Sequence, residues 1–172
     1  NCLRVNINGF SNRDKYRVRW YDKIDNSEVF FEKKKKINQL TQKTKISLGK
    51  FKNQEDLNFF LKSQDFVNSI FKITSLNLIQ VLTVSYIRDY YLDDKDKLRI
   101  TFDKNIKTHQ NFQGIFFKNL AYISNNILEL KYLLEDSDYV RQKMYNLNFN
   151  LRNQKFSKYV QSFMILNEMG HN

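Results

Sequence analysis

The sequence predicts an α+β fold: an antiparallel β-barrel with helices covering its outside. Several runs alternate charged and apolar residues with a period of two, which is the period of side chains along a strand. Turn-forming polar residues separate these runs, and other segments carry apolar residues at helical spacing. With 172 residues and 15% aromatics, the chain is expected to form one strand-rich domain over residues 1–172.

The clearest strand pattern is a hairpin of residues 16–21 and 29–36, joined by a polar turn at 22–27. Cationic residues occupy alternate positions in both runs, with aromatic and β-branched residues between them. The same alternation places Lys33 and Lys35 on the opposite side from their neighbours. The predicted charged face of this hairpin carries Lys15, Arg17, Arg19, Glu32, Lys34 and Lys36.

The remaining elements are predicted from the same two patterns, the period of two for strands and the helical spacing of apolar residues for helices. Further strands are expected at 3–7, 42–48, 81–92, 97–103 and 127–132, and helices at 54–61 and 66–71. Two later helices are expected to be capped by Ser137 and by Ser157. Residues 104–126 show no readable pattern and are expected to be irregular.

Composition limits the classes of function. A single cysteine excludes an intramolecular disulfide, and with only two histidines a Cys/His zinc site is excluded as well. No apolar run is long enough to cross a bilayer, and a reducing, cytoplasmic setting is the default expectation. The net charge of +11 indicates an anionic partner, because the cations recur at alternate strand positions instead of being scattered.

A charged strand face acquires a function if the sheet closes into a barrel, because it then lines a tunnel. Crowded cations repel one another, so such a tunnel favours a polyanion as its occupant. Arg17 and Arg19 lie about 6.8 Å apart along a strand, which lets each bind a different phosphate. Carboxylates among the cations, such as Glu32 and Glu129, suit a hard divalent cation, Mg²⁺ or Mn²⁺.

Five short motifs together resemble a known family. They are YRVRWY at 16–21, FEKK at 31–34, LRITFD at 98–103, LELK at 128–131 and FSKY at 156–159. In this order and spacing they resemble the catalytic domain of the VTC-type polyphosphate polymerases, which belong to the triphosphate tunnel metalloenzymes. The resemblance implies an eight-stranded barrel that uses a divalent metal, Mn²⁺ or Mg²⁺, to transfer the γ-phosphate of ATP onto polyphosphate. The family's domain begins with a further strand, so the sequence is expected to be incomplete at its N-terminus.

The resemblance also assigns roles to individual residues. Lys34, Arg99 and Glu129 are the expected catalytic residues, with Glu129 as a metal ligand. Alternation adds Glu32 as a second expected metal ligand. The expected phosphate-binding residues are Arg17, Arg19, Lys45 and Lys158 from the resemblance, and Arg88 and Lys131 from their positions on alternating strands.

Three functions stay open at this point. The first is polymerisation from ATP, and the second is hydrolysis of triphosphates on the same cationic lining. The third is a binding module that holds polyphosphate or RNA without turnover. Aromatic residues that fall opposite the cations argue against an RNA platform, so no nucleic acid is expected as a partner. These aromatics are Tyr16, Trp20, Phe31 and Phe102. A membrane-bound partner protein is left open, as is a simple ion pair between Glu129 and either Lys131 or Arg99.

Overall fold

A computed structural model gives the structure of the chain and describes residues 12–38, 40–112, 115–146 and 156–169. Within these ranges the fold is α+β, with antiparallel sheets and four α-helices. The chain divides into two compact units, an N-terminal unit of residues 1–80 and a C-terminal unit of residues 81–172. The expected strand at 3–7 lies outside the described residues, and the grouping of both units into one domain stays a prediction.

The N-terminal unit contains a three-stranded antiparallel sheet in the order β1-β2-β3, with β1 at Arg13–Arg19, β2 at Glu28–Ile37 and β3 at Leu40–Lys50. The predicted hairpin is confirmed, and its turn contains a short 3-10 helix, Ile24–Asn26. Cross-strand partners share a face of a sheet. Because Glu32 is opposite both Arg17 and Lys45, the predicted charged face is formed as expected.

Two helices follow the sheet, α1 at Gln54–Lys62 and α2 at Gln64–Thr74. Ser63 ends α1 and begins α2, where its hydroxyl accepts a hydrogen bond from the Phe66 amide at 3.3 Å. Ile73 of α2 borders the same concave space as Lys33 and Lys35. The C-terminal end of α2 is therefore near the sheet face opposite Glu32, the side on which the sequence predicts a covering helix.

The C-terminal unit is built around one long strand. Strand β5 (Leu98–Phe112) pairs along one side with β4 (Leu82–Leu92). Along its other side it pairs first with β7 (Ile127–Tyr132) and then with β6 (Ile115–Ile123). Buried apolar residues of this unit include Leu98, Ile106, Ala121, Val140 and Leu166.

The expectation that residues 104–126 are irregular is wrong, because β5 continues to Phe112 and β6 follows it. The pairing of β4 with β5 shifts by one residue between Ser85 and Ile87. Near this shift Asn105 has a φ of 53°, in the left-handed region. Such a bulge changes the phase of a period-two pattern, so the strand does not read as one alternating run.

Two helices complete the C-terminal unit, α3 at Ser137–Asn146 and α4 at Lys158–Met169. Helix α4 starts after Ser157, as predicted, and the carbonyl of Ser157 accepts from the Gln161 amide at 3.0 Å. Ser137, in contrast, has helical backbone angles and lies inside α3 instead of capping it, because a 3-10 turn, Leu134–Asp136, leads directly into the helix.

The described strands form two sheets, and no closed barrel is seen among them, so the barrel stays a prediction. None of the helices in the described ranges is long and apolar enough to cross a membrane.

Asp93 fastens helix α3 to the turn between β4 and β5. The side chain of Asp93 is 5% exposed. Its carboxylate accepts hydrogen bonds from the Leu98 amide at 2.8 Å and from the Tyr139 hydroxyl at 2.7 Å. Lys143 adds an ion pair at 3.4 Å. The hydrogen bond from Leu98 is the main reason that the pKa of Asp93 falls from 3.8 to about 2.

We expect Asp93→Asn to lower the melting temperature near neutral pH, because the amide cannot replace the charged acceptor. A carboxyl group whose pKa is lowered by folding stabilises the fold above its ordinary pKa, and this stabilisation is lost as the pH falls through the folded pKa. The difference between wild type and variant should therefore shrink between pH 3.8 and about 2. Thermal melts across this range test it, with Asp96→Asn, at an exposed position of the same connection, as control; a constant difference between wild type and Asp93→Asn would contradict it.

Candidate functional site

The first candidate site is the charged face of the N-terminal sheet. The register aligns Arg17, Glu32 and Lys45 in one row across the three strands, and Lys15, Lys34 and Lys43 in the next. We call this surface the N-terminal charged face. It consists of Lys15, Arg17, Arg19, Glu32, Lys34, Lys43 and Lys45.

Glu32 is the buried centre of this face, with 2% of its surface exposed. One carboxylate oxygen accepts from the Arg17 guanidinium at 2.6 Å and lies 3.8 Å from Arg19, and the other is 2.7 Å from the Lys43 ammonium. Burial opposes ionisation, but the hydrogen bonds from Lys43 and Arg17 outweigh it and lower the pKa of Glu32. The group is therefore an anion that holds cations from both neighbouring strands.

The adjacent row is different because it contains only lysines. Lys15, Lys34 and Lys43 face one another across the strands, and like charges in such positions destabilise a sheet. Burial, together with the charges of Arg13, Lys34 and Arg17, lowers the pKa of Lys15. Within the described ranges neither Lys15 nor Lys34 forms an ion pair, so these two charges of the row, unlike that of Lys43, are free to bind an anion.

Aromatic rings lie beneath two cations of the N-terminal charged face. The Lys45 ammonium is 3.4 Å from the centroid of the Phe30 ring, and the Arg19 guanidinium is 4.3 Å from that of Tyr21. The expected position of aromatics opposite the cations is right for Phe31, whose register places it on the other face of the sheet. Tyr16 and Phe102 also lie on the faces away from the cations, whereas Phe30, which this prediction did not include, lies on the charged side.

The second candidate site lies on the C-terminal sheet and is centred on Asp103, which is fully buried. Arg88 binds both carboxylate oxygens of Asp103, at 2.5 and 2.7 Å, and Lys158 forms an ion pair with the second oxygen. Burial opposes ionisation of Asp103, but the bonds from Arg88 and Lys158 lower its pKa, and Asp103 in turn raises the pKa of Arg88. Asp103 therefore joins β4, β5 and the start of α4.

Glu129 is the more open carboxylate of this sheet, with its side chain 43% exposed. Its oxygens lie 3.2 Å from the Lys131 ammonium and 3.8 Å from Arg88, and the Thr101 hydroxyl donates to it at 3.5 Å. The open alternative of an ion pair with Lys131 is thus observed. Glu129 keeps enough exposed surface to bind a further ligand.

Arg99 is paired across the strands with Lys131, and the two side chains share a face with Asp103 and Glu129. Arg99 is exposed and, in the described part of the chain, has no ion-pair partner. We call this second surface the C-terminal charged face. It consists of Arg88, Arg99, Thr101, Asp103, Glu129, Lys131 and Lys158.

Every residue chosen from the sequence therefore lies on one of two charged faces. The structure places Arg17, Arg19, Glu32, Lys34 and Lys45 on the N-terminal face, and Arg88, Arg99, Glu129, Lys131 and Lys158 on the C-terminal face. Sequence reasoning did not select Lys15, Lys43 or Asp103, although alternation already placed them beside the selected residues. What it lacked was the tertiary contact that buries Asp103 under Lys158.

The carboxylates differ in how well they suit a metal ion. Both oxygens of Glu32 are bound to cations, so a metal there would have to displace Lys43 or Arg17. Glu129 is better placed, because it is partly exposed and its ion pairs are long. No group of three or more His, Cys, Asp or Glu in the described ranges could hold a metal by itself. The choice of Glu32 and Glu129 as metal ligands stays a prediction.

Comparison with known proteins identifies the class of the chain. The model of the VTC domain family matches residues 1–167. The chain therefore belongs to the VTC domain family, which confirms the resemblance seen in the five motifs and suggests a function related to polyphosphate. A search of curated proteins finds no match.

We expect Glu32→Gln to lower the free energy of unfolding by about 1–3 kcal/mol, because Arg17 and Lys43 lose the charge that holds them. Glu28→Gln is the matched control: Glu28 is on the same strand and the same face, but it is exposed, and its side chain accepts a hydrogen bond from the Ser47 hydroxyl instead of pairing with a cation of the described residues. Urea denaturation at neutral pH measures both. Equal effects of the two changes would show that Glu32 does not hold the face together.

Proposed function

We propose that this protein is a polyphosphate polymerase that transfers the γ-phosphate of ATP to a growing polyphosphate chain. The single observation that carries the proposal is that some cations of the charged faces are ion-paired and others are not. Some are held by the buried carboxylates Glu32 and Asp103, while Lys15, Lys34 and Arg99, on the same two faces, form no ion pair within the described residues. Such an arrangement keeps positive charge fixed in place for an anionic ligand.

Transfer of a phosphoryl group needs little covalent chemistry from the protein. It needs the donor and acceptor phosphates held in line, and it needs the charge that spreads over the equatorial oxygens to be neutralised. We assign Lys34 and Arg99 to the transferred phosphate, because the family resemblance gives both a catalytic role and neither forms an ion pair within the described residues. The remaining phosphates would bind to Arg17, Arg19, Lys45, Arg88, Lys131 and Lys158.

No side chain is required as a nucleophile, because the acceptor is itself a terminal phosphate. A divalent cation, Mn²⁺ or Mg²⁺, would be held by Glu129 together with phosphate oxygens, since Mg²⁺ commonly takes only one or two carboxylates from the protein. When bound, it neutralises charge on the phosphates. Glu32 is proposed as a second ligand only if the substrate draws Lys43 away from it. The closed tunnel implied by the family is part of this proposal.

A triphosphatase is the second candidate, and the same observation favours it. The unpaired cations would bind a triphosphate equally well if water, instead of a phosphate, were the acceptor. A binding module without turnover would use them too. The three functions differ in product and not in the phosphate-binding residues.

We expect the full-length protein, incubated with ATP and Mn²⁺, to make long polyphosphate visible on a polyacrylamide gel. Lys34→Ala should lower the amount of polymer by at least about tenfold, since removing one fixed charge that contacts the transition state typically costs that much or more. Free phosphate without polymer would favour the triphosphatase. The absence of any turnover, with ligand binding intact, would favour the binding module.

We also expect tripolyphosphate to raise the melting temperature of the protein. A ligand present at 100 times its dissociation constant raises the free energy of unfolding by about 2.7 kcal/mol. Lys34→Ala or Arg99→Ala should remove most of this shift. Lys35→Ala is the matched control, since Lys35 is the next residue on β2 but lies on the opposite face of the sheet. Thermal melts with and without tripolyphosphate measure the effect, and equal losses in Lys34→Ala and Lys35→Ala would exclude a specific face.

A further inference from the structure

Strand β4 carries two tyrosines on the C-terminal charged face, one on each side of Arg88. The Arg88 guanidinium lies 5.1 Å from the centroid of the Tyr86 ring and 5.8 Å from that of Tyr90. Tyr86 is also covered by the Lys158 ammonium, at 4.6 Å from its centroid. Among the described residues only Arg88 lies over the Tyr90 ring, and Tyr90 is 58% exposed.

The register fixes the side of the sheet on which Tyr90 lies. Its cross-strand partner is Thr101, which belongs to the same face as Asp103 and Glu129. The next residue on this side of β4 is Leu92, which is 60% exposed and pairs with Arg99. Tyr90 and Leu92 thus form a short apolar edge directly beside cations that suit phosphate.

A single exposed tyrosine is common on protein surfaces and needs no explanation by itself. The position of Tyr90 is more specific, because a nucleotide has the matching combination of a flat aromatic base and a chain of phosphates. Adjacent residues on one face of a strand are about 6.8 Å apart, so a ligand bound at Arg88 extends to Tyr90 without leaving the sheet. Inorganic polyphosphate has nothing that an aromatic ring would bind.

We propose that Tyr90 stacks on the base of the nucleotide donor while Arg88 and Lys158 bind its phosphates. The inference rests on the proposed function, since it requires that phosphates bind at this face. Its consequence is selectivity: Tyr90 gives the nucleotide an affinity that an inorganic chain of the same charge lacks. The donor would thereby compete with polyphosphate, whose phosphates use the same cations.

Titration calorimetry with two probes in the presence of Mg²⁺ tests this role. The first probe is the β,γ-imido analogue of ATP, which does not donate its γ-phosphate, and the second is tripolyphosphate. In Tyr90→Ala the dissociation constant of the nucleotide analogue should rise about 5- to 100-fold, the range that loss of one stacked base gives. The dissociation constant of tripolyphosphate should stay unchanged.

Two further variants separate stacking from structural damage. Tyr90→Phe keeps the ring but loses the hydrogen bond between Tyr90 and Arg88, so it should keep the wild-type ratio between the dissociation constants of the two probes. Tyr91→Ala removes the neighbouring tyrosine, which is 56% exposed but pairs with Ile100 and lies on the opposite face, and it should also leave both probes unchanged. If Tyr90→Ala does not fold, Tyr90→Leu, which keeps apolar volume without an aromatic ring, should show the same selective loss.

These measurements distinguish a failure of the stacking role from a failure of the proposed function. If the wild type binds neither probe, phosphate binding itself fails and the stacking role fails with it. If the wild type binds both probes and Tyr90→Ala weakens both equally, or neither, only the stacking role is overturned. A loss in Tyr91→Ala as large as that in Tyr90→Ala would also overturn it.

Discussion

The two charged faces depend on the same interaction, a buried carboxylate that is bound by an arginine and a lysine. In the N-terminal unit Glu32 holds Arg17 and Lys43, and in the C-terminal unit Asp103 holds Arg88. A buried anion alone would be costly, and a row of cations alone would repel itself. Together they form a neutralised centre around which further cations can be placed. Each face therefore carries more positive charge than its buried carboxylate neutralises, and the remaining charge is free.

The two carboxylates differ in what they join. Glu32 connects three neighbouring strands of one sheet, so its role follows from strand register. Asp103 connects two strands with the first residue of helix α4, Lys158. Because Lys158 is the first residue of α4, it lies at a helix N-terminus, where unpaired amide groups and the helix dipole add to the local positive potential. The C-terminal face thus combines side-chain charge with main-chain polarity, whereas the N-terminal face uses side chains only.

Alternation along the strands was enough to predict much of the fold and of the site. It placed Arg17, Arg19 and Lys34 on one face because strand β1 and the second half of β2 are regular and have a period of two. It failed where the backbone departs from that period, as at Asn105, whose left-handed conformation hides the continuation of β5. It also missed the importance of Asp103, since burial by a residue more than fifty positions later is a tertiary effect with no local signal.

The four consecutive lysines of β2 show how strongly a strand changes the meaning of a sequence. Read as a linear string, residues 33–36 would suggest an accessible basic tag or a preferred site for a trypsin-like protease. In the fold this segment is the middle strand of its sheet, with its main chain paired to β1 on one side and β3 on the other. A protease or import receptor that requires an extended, unpaired peptide would find the richest cluster of basic residues in this unit sheltered for as long as the sheet stays folded.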